Sequence, residues 1–135
     1  MDNLIRITPN KEKAASILKM VDITLEMIKE VDIKKFPSNL LKEYYDVLRE
    51  LISIILLLDG YKTYGEEAHK ISIEYLSSNY KQFSSYEISL INDLRVTRNK
   101  VAYDGFFIKT DYLERKLKEI NSLIIKLQTI IKDKL

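Results

Sequence analysis

Apolar side chains recur along most of this chain at three- and four-residue steps, the spacing of helices that each bury one face. The first such segment opens at Thr8-Pro9, a capping residue followed by proline at the first helical position. It carries Ala14, Ile17, Leu18, Val21, Leu25 and Ile28 and fades near Val31, before Phe36-Pro37. The second starts at Ser38 as N-cap and runs to Asp59, with Gly60 as its C-terminal stop. Its early part sets Leu41, Tyr44, Tyr45 and Leu48 against Lys42, Glu43, Asp46 and Arg49, whereas Ile52 to Leu58 is apolar nearly all round. That change predicts a helix at the centre of a bundle or beneath a second subunit.

After a turn at Gly60–Gly65, a third helix is expected from Glu66 to Asn79, with Ala68, Ile71, Tyr75 and Leu76 facing inward. The fourth begins at Ser84 or Ser85, where Glu87 completes a capping box, and continues through Ile88, Ile91, Leu94 and Val101 to Tyr103. Asp104-Gly105 ends it. The fifth, capped by Thr110 or Asp111, carries Leu113, Leu117, Ile120, Leu123, Ile124, Leu127, Ile130 and Ile131 in a near-heptad stripe. Short connections make sequential helices antiparallel neighbours. The expectation is one all-α domain spanning residues 1–135, an up-and-down helical bundle of about five helices.

Composition narrows the chemistry. Lys and Arg number 22 against 20 Asp and Glu, so the net charge of +2 does not by itself demand a nucleic acid or an anionic membrane. Cysteine is absent, which removes disulfides, thiolate metal sites and thiol nucleophiles. His69 is the single histidine, and the expected inner faces carry almost no carboxylates, so no metal site and no cofactor are expected. A glycine-rich phosphate loop and a nucleophile elbow are both missing. The start of the sequence lacks a signal-peptide pattern, and the longest apolar run is far below the ~20 residues of a membrane span. A cytoplasmic protein with no membrane partner is the expectation.

One stretch differs from ordinary helix surface. At ~100° per residue, Arg98, Ala102, Arg95, Asn99 and Tyr103 fall within one arc near the end of the fourth helix. The neighbouring apolar face of Leu90, Leu94 and Val101 places Arg98 at the core margin. Two guanidiniums, an amide and a phenol displayed together suit a phosphodiester, because arginine's planar fork matches phosphate oxygens bidentately. The alternative is structural: Arg95 and Arg98 pair with nearby carboxylates, Asn99 bonds back to the helix, and Tyr103 caps the core.

The segment Arg98-Asn99-Lys100-Val101-Ala102-Tyr103-Asp104-Gly105 resembles the signature of HEPN domains, an arginine followed after four to six residues by histidine, often with asparagine next to the arginine. Tyr44-Tyr45, the run Leu56-Leu57-Leu58-Asp59-Gly60-Tyr61 and Ala68-His69-Lys70 are also similar to prokaryotic members. The resemblance covers Ser38 to Gly105. It implies a homodimer whose motif-bearing helices meet at a cleft, which in active members is a metal-independent endoribonuclease site. Arg98, Asn99 and Tyr103 then stand at the catalytic positions, with Arg95, His69 and Asp104 as binding candidates. It also implies a nucleotidyltransferase antitoxin as partner, with RNA or a nucleotide as ligand; other members are inactive scaffolds.

Tyr103 stands where the family has histidine. A free phenol titrates near ~10 and an imidazole near ~6.5, so tyrosine donates a proton at neutral pH but is a poor base. The expectation is therefore a degenerate motif that cleaves RNA weakly or not at all, unless His69 supplies the imidazole from the neighbouring helix.

Overall fold

The computed structural model describes residues 3–135 and contains five helices among them, an all-α bundle with one small strand pair. The helices are α1 (Lys11–Lys29), α2 (Pro37–Asp59), α3 (Ala68–Asn79), α4 (Ser85–Asp104) and α5 (Thr110–Lys134). The strands β1 (Leu4–Arg6) and β2 (Tyr61–Thr63) pair antiparallel, with Leu4 opposite Thr63 and Arg6 opposite Tyr61.

α2 is the central rod, packing against all four other helices. Its apolar run does this: Ile52, Ile54, Ile55, Leu56 and Leu57 are all buried. The run is therefore covered within one chain and leaves no apolar face there for a second subunit. The stripe of α5 closes the other side, with Leu113, Ile120, Leu123, Ile124, Leu127 and Ile131 buried.

Helix ends follow local chemistry with three departures from the sequence pattern. α4 has the expected capping box: Ser84 Oγ accepts from Glu87 N at 3.1 Å and Glu87 Oε1 from Ser84 N at 2.9 Å. Gly60 and Gly105 end α2 and α4 with φ of 88° and 65°, a backbone that glycine adopts without Cβ strain. α1, however, is capped by Asn10, whose Oδ1 accepts from Lys13 N at 2.9 Å, so Thr8-Pro9 lies outside the helix. At α2, Pro37 takes the first helical position, and the Ser38 hydroxyl is buried and accepts from Ile108 N at 2.9 Å. That bond spans 70 residues and ties the start of α2 to the α4–α5 connection. Finally, α3 starts at Ala68 and not at Glu66, after a turn in which Ala68 N donates to Gly65 O at 3.2 Å. No helix among the described residues is long and apolar enough to cross a membrane.

Candidate functional site

The middle of α2, the first turn of α3 and the last turns of α4 bring one polar cluster together. α2 supplies Tyr45, Asp46, Arg49 and Glu50, α3 supplies His69, and α4 supplies Arg95, Arg98, Asn99 and Tyr103. Arg98 is its hub. Its guanidinium donates to Tyr103 Oη at 3.3 Å and Asn99 Oδ1 at 3.5 Å, and lies 5.8 Å from the centre of the Tyr103 ring. The other terminal nitrogen stands 3.4 Å from Asp46 Oδ1. Arg49 Nε approaches the same oxygen at 3.7 Å, and its Nη2 pairs with Glu50 Oε1 at 3.2 Å.

These contacts on Asp46 are electrostatic and lack hydrogen-bond geometry. Asp46 Oδ1 and the Nε atoms of Arg49, Arg95 and Arg98 are buried without a hydrogen-bond partner in the protein. No other described side chain contains such an atom. Each unsatisfied group costs about 1–3 kcal/mol, and this cluster gathers three such donors and one acceptor. Three guanidiniums face two carboxylates here, leaving one positive charge over. An anion with several oxygens would supply the acceptors and neutralise the excess.

His69 and Tyr45 report the same field. Their ring centres lie 6.4 Å apart. Burial, then the charges of Arg49 and Arg98, push the His69 pKa below its ordinary value, against the opposing pull of Asp46. The imidazole is consequently neutral at pH 7, able to accept a proton. Burial pushes the Tyr45 phenol up to about 12 although Arg95, Arg49 and Arg98 all favour its ionised form. Tyr45 is thus a neutral floor beneath the arginines.

Of the residues singled out in the sequence, Arg95, Arg98, Asn99 and His69 join the cluster, with Arg98 at the core margin (its side chain 16% exposed). Tyr103 does not cap the core: it is 75% exposed and touches the cluster only through Arg98. Asp104, also exposed, makes none of these contacts. Arg49 and Asp46 were not legible as site residues. They lie on the polar face of the early part of α2 with Lys42, Glu43 and Glu50, and nothing local sets them apart. No group of three or more metal-ligating side chains occurs among the described residues. Compared with protein-family models, curated proteins and solved structures, the chain matches none.

Proposed function

We propose that this chain is a HEPN-like domain that binds RNA phosphodiesters through Arg49, Arg95 and Arg98, with Asn99 and Tyr103 on the rim. The observation that carries this reading is the confinement of every unpartnered buried side-chain polar atom to that cluster. A phosphodiester docked there accepts from the arginines and displaces Asp46 as their counter-ion. The domain works as a homodimer and as the helical half of a toxin–antitoxin-like pair. The exposed Tyr103 hydroxyl, at the end of the motif helix, suits an acceptor for a nucleotidyltransferase partner.

A second reading, catalysis, is favoured by the neutral His69 beside the arginines. In it, the imidazole takes the proton from a ribose 2′-hydroxyl, the 2′-oxygen attacks phosphorus, and the 5′-oxygen leaves with a proton from the Tyr103 phenol. The Tyr103 phenolate is then reprotonated from His69 through solvent, and no metal enters the balance.

Fluorescence anisotropy with a labelled single-stranded RNA tests the first reading. Arg98→Ala should weaken binding by about 10- to 100-fold, the loss of a charge-assisted pair of hydrogen bonds. Equal affinity of the variant and the parent would overturn it. Cleavage in EDTA separates the second: loss of activity in His69→Gln supports catalysis by His69. No cleavage by the parent, with activity appearing in Tyr103→His, supports the degenerate motif.

A further inference from the structure

Beyond Tyr103, the chain turns at Gly105 and forms the wall of an open cleft of about 630 Å³ between the end of α4 and the start of α5. Two features of this cleft are unusual. Phe107 is 82% exposed and Phe106 about half exposed, a large apolar area that hydration disfavours. The next residue is anchored instead: Ile108 is buried and its N–H donates to the Ser38 hydroxyl at 2.9 Å, which fixes the segment that carries the rings. Around these rings stand Lys100, Lys109 and Arg115, with Asp111 the one carboxylate in the lining. Lys100 Nζ lies 6.0 Å from the centre of the Phe106 ring, and Arg115 is held in place by its Nε donating to Asp111 O at 3.2 Å.

Exposed rings among surplus cations match one ligand chemistry, an unpaired base with its phosphate. Stacking on an aromatic ring is tolerant of base identity, and the cations take the backbone charge. We propose that this cleft is a second RNA subsite, in which a single-stranded base stacks on Phe107 and its phosphate is held by Lys100, Lys109 and Arg115. It rests on the RNA-binding reading above, and extends it along α4: the strand gripped at Arg98 continues past Tyr103 onto the Phe107 ring.

The test is anisotropy on the full chain with a labelled oligouridylate and with an oligomer of the same length lacking bases. Phe107→Ala should weaken the oligouridylate by about 5- to 100-fold, the range of one lost stacking contact. The base-free oligomer should bind the parent and the variant alike. Lys109→Gln should weaken both oligomers equally and flatten the salt dependence by about one charge. The Phe107 side chain is exposed, so the variant keeps its fold, which circular dichroism checks. RNA binding lost in Arg98→Ala but unchanged in Phe107→Ala would overturn this subsite and leave the arginine site standing. No RNA binding by the parent would overturn both. A change of sedimentation in Phe107→Ala, with RNA affinity unaltered, would assign the rings to contact between copies and overturn the proposal as well.

Discussion

α2 carries two aspartates that meet opposite fates. Asp59, its last residue, accepts from the Tyr75 hydroxyl at 2.8 Å and from the Tyr80 hydroxyl at 2.5 Å, and pairs with Lys134 at 2.8 Å. Burial works against its charge, but the bonds from Lys134, Tyr80 and Tyr75 outweigh it and hold the carboxyl below its ordinary range. Asp46 sits three to four turns earlier, shared between two arginines at 3.4 and 3.7 Å, with its inner oxygen unsatisfied. One cluster is complete within the chain. The other leaves three donors and one acceptor unmet. A complete polar cluster stabilises the fold, here by pinning the last turn of α5 to α2 and α3; an incomplete one is a constant cost that only a ligand removes.

The comparison breaks most visibly on stability. Asp59→Ala strands two tyrosine hydroxyls and Lys134, and should lower unfolding free energy by about 2–3 kcal/mol in urea titrations. Asp46→Asn should cost under about 1 kcal/mol, because its contacts with the two arginines, at 3.4 and 3.7 Å, lack hydrogen-bond geometry. Equal losses would mean that the two clusters do the same job. A smaller effect sharpens the contrast from the ligand side. Asp46→Asn removes the competitor for the arginines, so RNA affinity should rise by about three- to tenfold; a fall would show that Asp46 orients them instead.

The smallest effect concerns pH. His69 has a lowered pKa in the fold, so the unfolded chain takes up a proton that the folded chain resists, and stability is lost as pH falls below ~6.5. Asp59 and Glu87, both lowered, lose their contribution only near pH 4 and below. Stability measured from pH 7 to 5 should therefore slope downward gently in the parent and run flat in His69→Gln, with the acid arm shared. A persisting slope in the variant would place the titrating group elsewhere.

Helix count, the buried faces, the Ser84–Glu87 box and the glycine stops at 60 and 105 were all legible, because each depends on neighbours within a turn or two. Long-range partners were not. Ser38 reads as a cap by position, yet its hydroxyl serves Ile108, 70 residues away. β1 and β2 have three residues each, too few for an alternating pattern to stand out. At the site, Arg95, Arg98 and Asn99 stood out because one helix face displays them together. Asp46 and Arg49 read as ordinary solvated positions, since only the packing of α2 on α4 brings them under Arg98. Phe106 and Phe107 fall between the fourth and fifth helical patterns, and nothing local marks their exposure or the anchoring of the next residue by the distant Ser38.

The strand pair is one of the long-range closures on which the site depends. Arg6 meets Tyr61 across 55 residues, and closing a loop of that length costs on the order of 3–4 kcal/mol before its few hydrogen bonds repay it. Helices α2 and α4, rich in local bonds, need no such closure to begin. β2 is joined to α3 by the 2.9 Å bond between Thr63 and Ser72, one turn beyond His69. Bringing Arg98 of α4 to Asp46 of α2 closes a loop of similar length, so neither half of the site assembles from local contacts alone. β1 supports β2, and β2 holds the start of α3 through that bond, so the footing of His69 depends on a three-residue strand while the arginines rest on two long helices.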